Sequence, residues 1–191
     1  MMGKVIVFIY DNMADFEISL LVQLLKSKCH KEIIVVSNYG GKVVSMSGMT
    51  YLPDYTLDDV SLDGVEGIII PGGENRHLHD RLITIINHLN QSDKLLAAIC
   101  FGPWMLAKAG VLKDRKYTSS IVKWQEEHSE FFGIQDPFPE GGYVEARVVR
   151  DKNIVTAKGA AFIDFAIEVC DYFGGFQDEG GRESFAKEYK G

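Results

Sequence analysis

The chain has 191 residues, 46% of them hydrophobic, which suits one large domain with a sizeable core; nothing in it resembles a Pro/Ser-rich linker. The formal charge is -7 and Lys and Arg are scattered, so a phosphate backbone has nothing to neutralise it, and nucleic acid is excluded as a partner. No apolar run approaches the ~20 residues needed to span a bilayer, so no membrane partner is expected.

The first element is the apolar run from Val5 to Tyr10, too short for a signal peptide and halted at Asp11. It reads as a buried strand. From Phe16 to Ser27, Ile18, Leu21, Val22 and Leu25 recur at three and four residues, which predicts a helix with its apolar stripe on the sheet and Asp15 as N-cap. Glu32 to Ser37 is the second strand. The stretch from Lys42 to Leu52, preceded by Gly40-Gly41 and holding Gly48, predicts a small hairpin that ends before Pro53. Gly67 to Ile70 is a strand, Leu78 to Asn90 a helix and Lys94 to Ile99 a strand, followed by a helix of about seven or eight residues ending at Gly110. Beyond it a helix is predicted over Ile121 to Phe132, two antiparallel strands over Tyr143 to Val155 turning at Asp151 to Asn153, and a helix over Ala160 to Phe173. Val- and Ile-rich runs alternating with helical patterns predict an α/β fold with a mostly parallel central sheet covered by helices on both faces. Residues 1–175 form the domain; residues 176–191, polar and Gly-rich with one weakly helical piece, read as a C-terminal surface extension.

Cys29, Cys100 and Cys170 are odd in number and widely spaced, with no CxxC pair. Neither a disulfide framework nor a zinc site follows, and a reducing cytoplasm fits. Cys29 and Cys170 fall at or in helical segments and read as spacers or core residues. Cys100 differs. The run Leu95-Leu96-Ala97-Ala98-Ile99-Cys100-Phe101-Gly102-Pro103 joins a buried strand to a short helix with almost no slack, and Ala98, Gly102 and Pro103 are what so sharp a turn needs. The pattern resembles the nucleophile elbow of G-x-S-x-G hydrolases with cysteine as nucleophile. There the sulfur meets unsatisfied backbone N–H groups at a helix start, so a depressed thiol pKa is expected.

Two further segments converge on that place. Ile68-Ile69-Ile70-Pro71-Gly72-Gly73 ends a strand in two glycines where open parallel sheets form their ligand crevices; the amides of Gly72, Gly73 and Phe101 are candidate oxyanion donors. Glu17, in Ala14-Asp15-Phe16-Glu17, either reaches the same crevice or is a solvated first-turn residue that complements the helix dipole. His77, His79 and Asp80 do not assemble as metal ligands, and His128 lies in the polar face of a helix, so no metal is expected.

In this order, Ala14-Asp15-Phe16-Glu17, Ile70-Pro71-Gly72-Gly73, Ala98-Ile99-Cys100-Phe101-Gly102-Pro103 and Thr156-Ala157-Lys158-Gly159 resemble the ThiJ/PfpI superfamily of the class I glutamine amidotransferase-like fold, over residues 3 to 173. The superfamily includes protein deglycase, glyoxalase III-type enzymes and intracellular protease I. The resemblance implies a flavodoxin-like three-layer αβα sandwich, a homodimer without cofactor, and a cysteine with a glutamate hydrogen-bonded to it. These roles fall on Cys100 and Glu17, with Gly72 and Gly73 nearby and Gly159 bordering the pocket. It also implies a cysteine-dependent hydrolase or glyoxalase III-like lyase that takes a small-molecule carbonyl or amide substrate. Two alternatives stay open, a redox or stress sensor oxidised at Cys100 and a PfpI-type amidase or peptidase. The chain departs from many relatives in carrying Phe101 where they have histidine, and Thr118-Ser119-Ser120 where others supply one. A Cys-His-acid mechanism therefore lacks its base.

Overall fold

Short apolar runs such as Val65–Ile70 and Leu95–Ile99 can bury both faces only inside a helix-covered sheet, and that is where the chain puts them. In this computed structural model, which describes residues 2–74 and 77–191, the elements run β1 (Lys4–Ile9), α1 (Phe16–Ser27), β2 (Glu32–Ser37), β3 (Val43–Val44), β4 (Thr50–Tyr51), β5 (Tyr55–Thr56), β6 (Val65–Ile70), α2 (Asp80–Gln91), β7 (Leu95–Ile99), α3 (Pro103–Lys108), α4 (Glu126–Phe132), β8 (Val148–Asp151), β9 (Ile154–Ala157), α5 (Phe162–Tyr172) and α6 (Glu179–Lys190). Seven strands form one sheet in the order β5-β2-β1-β6-β7-β9-β8, parallel except for β8; β3 and β4 form a separate antiparallel hairpin.

Helices α1 and α5 pack on one face and α2 and α3 on the other. This is the flavodoxin-like α/β sandwich with a mostly parallel sheet. The chain builds outward from β1 to β2 and β5, then crosses back to β6, so the strand order reverses between β1 and β6. A crevice at the carboxyl ends of β1 and β6 follows from that reversal.

Three local expectations change. Asp15 does not cap α1 with its side chain; its carboxylate accepts from Ser45, Ser47 and Tyr51 and so ties the β3–β4 hairpin to the start of α1. Burial pushes that carboxyl up, but the three hydroxyls outweigh it and hold the group below its ordinary value. The helix expected over Ile121 to Phe132 forms only from Glu126, because Ser119 draws in the Ile121 amide and a Gln125–His128 capping box starts α4 late. The stretch after Phe173 contains a full helix, α6, which lies on α5 through the buried Phe185 and an Arg182–Glu168 ion pair of 2.6 Å.

Candidate functional site

Cys100 follows β7 directly and takes φ +62°, a left-handed conformation that a side chain adopts at a cost. The surroundings impose it. Its amide donates to the Ala157 carbonyl at 2.8 Å, and its carbonyl accepts from the Ser120 amide and the Ser119 hydroxyl, each at 2.9 Å. Gly102 makes the turn possible, because a Cβ there would lie 2.7 Å from the Ile70 carbonyl oxygen and 2.9 Å from that of Pro71. Pro103 then starts α3, and the Phe101 ring turns away to pack edge-on against Phe132 at 6.4 Å between centroids.

Glu17 belongs to the first turn of α1 and is 2% exposed, so it is not a solvated helix-start residue. The Gly72 amide donates to its Oε2 at 2.7 Å. Its carboxyl and the thiol are hydrogen-bonded to each other. The pair is wedged between two glycines. A Cβ on Gly72 would meet Glu17 Oε2 at 2.7 Å and Cys100 Sγ at 3.0 Å; one on Gly159 would meet Glu17 Oε1 at 2.8 Å and the same sulfur at 3.0 Å. Gly73, at φ +131°, bridges to Met13 and crowds the Asn12 carbonyl, so it fastens the β6 loop to the β1 loop. Cys100, Glu17, Gly72 and Gly159 thus meet at one point. The Phe101 amide also reaches the sulfur. The Gly72 amide is engaged by Glu17, while Gly73 sits one residue further out along the β1 contact.

Sequence reasoning overlooked two groups. Ser120 hydrogen-bonds to the sulfur and accepts from the Gly159 amide at 3.1 Å. It stands in the segment where a histidine was sought and not found, and the only available signal was a hydroxyl at that place. Tyr10, at the end of β1, donates to the Pro71 carbonyl at 2.9 Å and feels the charges of Glu17 and Cys100. Two of the five histidines cap helices: His79 accepts from the Arg81 amide at the start of α2, and His128 accepts from the Gln125 amide at the start of α4. Among the described residues no group of His, Cys, Asp and Glu could hold a metal, and no helix is long and apolar enough to cross a membrane.

The electrostatics run against the expected depressed thiol. Burial, then the neighbouring Glu17 charge, push Cys100 up to about 12, while Ser120 and the Phe101 amide pull it partly back. Helix α3 has only six residues, so its dipole does not offset a desolvated sulfur beside a carboxylate. Burial raises Glu17 too, against the Gly72 and Cys100 hydrogen bonds. Two acids in such contact lose protons in steps that belong to the pair. One proton is shed as Glu17 titrates; the second stays on the sulfur into the alkaline range, held there by burial and by the Glu17 charge.

A buried strand ending in a left-handed cysteine, backed by a carboxyl from the first helix, marks the crevice of this flavodoxin-like α/β fold. The chain belongs to the DJ-1/PfpI family, whose model matches residues 3–171. It is 31% identical over 160 residues to Deglycase TK1284 of Thermococcus kodakarensis, an alignment covering 81% of this chain and 89% of that protein. It is 27% identical over 177 residues to the uncharacterized protease YoaZ of Bacillus subtilis, covering 87% and 81%. Among solved structures, the DJ-1 superfamily protein Atu0886 of Agrobacterium tumefaciens superposes with a TM-score of 0.82 at 27% identity, covering 98% of this chain and all of that one.

Proposed function

We propose that this protein is a cysteine-dependent enzyme acting on small reactive carbonyls, with Cys100 as nucleophile and Glu17 as acid/base. The observation that carries the reading is the buried contact between thiol and carboxyl, closed in by two glycines whose β-positions the pair fills. Similarity to proteins named deglycase supports the substrate class.

On a 2-oxoaldehyde such as methylglyoxal the steps balance without a cofactor. Sulfur bonds to the aldehyde carbon as Glu17 gives its proton to the oxygen, leaving a hemithioacetal and a carboxylate. The amides of Phe101 and Gly73 are the donors available to that oxygen as charge builds on it. Glu17 then removes the hydrogen from the former aldehyde carbon, giving an enediolate, and returns that proton to the adjacent carbon while the hydroxyl proton on the first oxygen passes to the second, which makes a 2-hydroxy thioester. Water cleaves the C–S bond, releasing the hydroxy acid and restoring the thiol. A carboxyl whose pKa is raised by burial suits both proton donation and removal near neutrality. A peptidase reading is weaker, because among the described residues the groups that act on the thiol are Glu17, Ser120 and the Phe101 amide, and the histidines at 79 and 128 are occupied as helix caps.

The reading takes the protein to work in the cytoplasm as a homodimer, which light scattering at twice the chain mass supports and a monomer contradicts. Its main test is D-lactate release from methylglyoxal. Wild type should turn over, and Cys100→Ser and Glu17→Gln should fall to the rate of buffer. Wild type no faster than buffer removes the proposal.

A further inference from the structure

The two cysteines that the reaction does not use lie together. Cys29 lies two residues past the end of α1 and Cys170 is in the last turn of α5, 141 positions apart, yet their sulfurs are 3.4 Å from each other. Helices α1 and α5 run side by side in the same direction, which brings their carboxyl ends to one place at the amino-terminal edge of the sheet. That place is the opposite end from Cys100. Room for the two sulfurs is reserved by Gly175: a Cβ there would sit 2.4 Å from Cys170 Sγ and 2.7 Å from Cys29 Sγ. The Gly175 amide donates to the Cys170 carbonyl at 2.9 Å, which holds the glycine against the pair.

We propose that Cys29 and Cys170 form a reversible redox site, oxidised by hydroperoxides to an intramolecular disulfide that staples the end of α1 to the end of α5.

The two thiols are unequal in the way such a reaction needs. Cys29 is partly exposed; its hydrogen bond with Cys170 holds its thiol below the ordinary value, with Lys31 and Lys28 adding to that effect against burial. Cys170 is fully buried and its thiol is pushed up, first by Cys29 and then by burial. Cys29 is therefore the attacking sulfur and Cys170 the resolving one. The Cys29 thiolate attacks one peroxide oxygen, the O–O bond breaks, and the leaving oxygen departs as water or alcohol with a proton. The resulting sulfenic acid is attacked by the Cys170 sulfur, the S–O bond breaks, and the hydroxyl leaves as water with the Cys170 proton. Two electrons pass from the dithiol to the peroxide. A side-chain rotation that closes the sulfurs from 3.4 Å to about 2.05 Å completes the bond, with no backbone travel across the fold.

The test uses full-length Cys100→Ser protein, so that only this pair reacts. After mild hydrogen peroxide and unfolding, alkylatable thiols should fall from two per chain to none. Peptide mapping should recover Cys29 linked to Cys170, the protein should stay monomeric on a non-reducing gel, and dithiothreitol should restore both thiols. Gly175→Ala, which drives a methyl between the sulfurs, should slow crosslinking at least tenfold; Cys29→Ser should leave Cys170 alkylatable after the same treatment. Two surviving thiols, stable oxygen addition at Cys29 without the linked peptide, or crosslinking between chains would each overturn the proposal. None of these readouts depends on turnover, so failure here leaves the reading of Cys100 untouched.

Discussion

Replacing Glu17 with glutamine tests whether the thiol and the carboxyl work as one unit. In the wild type the Glu17 charge beside the sulfur adds to burial in pushing the Cys100 thiol up to about 12. Glutamine keeps the shape of the side chain and removes that charge. Burial keeps such a lone thiol above its ordinary value of 9.0, although the Glu17 charge that lifted it further is gone. At pH 7 a thiol with a pKa of 9 or more is ionised to about one part in a hundred or less, since each unit is a factor of ten. Alkylation of Cys100 by iodoacetamide at pH 7 should therefore speed up by about tenfold in Glu17→Gln, and the variant should reach its plateau at a lower pH than the wild type as the buffer is made alkaline. Stopped-flow alkylation from pH 5 to 10, with Cys29 and Cys170 counted separately by peptide mapping, measures it. A variant profile that overlays the wild type, or slower alkylation at pH 7, refutes the claim that the Glu17 charge holds the thiol up.

Gly159→Ala should abolish both alkylation and turnover while leaving the far-ultraviolet spectrum unchanged, because the added methyl would stand 3.0 Å from the sulfur and 2.8 Å from Glu17 Oε1; retained activity would mean the pocket yields more than its packing suggests. Ser120→Ala removes a hydrogen bond to the sulfur and the acceptor for the Gly159 amide, a loss of about 1 kcal/mol that should lower kcat roughly fivefold with KM little changed. Cys100→Ala should flatten the alkaline limb of the stability curve. A thiol held near 12 when folded and 9.0 when unfolded stabilises the fold fully below pH 9, and loses up to about 1.4 kcal/mol per pH unit above it, so urea midpoints at pH 8 and 10 should differ less in the variant. Asp15→Ala should destabilise the protein by about 1.5 to 3 kcal/mol through the three hydroxyls it leaves unmatched, read as a lower urea midpoint with the site still alkylatable.

Much of the fold is legible in the chain because the physics there is local. Ile68-Ile69-Ile70 and Leu95 to Ile99 are apolar throughout, which marks strands buried on both faces, and α1 buries Ile18, Leu21 and Leu25 of its stripe, with Leu24 buried in place of the half-buried Val22. The elbow is legible for the same reason: Ala98, Gly102 and Pro103 are demands of one tight turn. What stays hidden depends on distant packing. Nothing near Cys29 points to Cys170, since only the lie of α1 along α5 brings them together. Asp15 looks like a cap until the hairpin offers it better donors, and Ser120 gains meaning only when its loop is pinned to the Cys100 carbonyl. The sign of the thiol shift was misjudged because a helix start can be read from sequence, whereas burial and a carboxylate at the sulfur cannot.

The central claim is that substrate carbon bonds to Cys100. Rapid-quench mass spectrometry of wild-type protein mixed with methylglyoxal, followed by peptide mapping, tests it most directly. The account predicts an adduct on the Cys100 peptide that appears before D-lactate and decays as lactate accumulates. Lactate formed with no adduct at Cys100, or label spread equally over Cys29 and surface lysines, would contradict it.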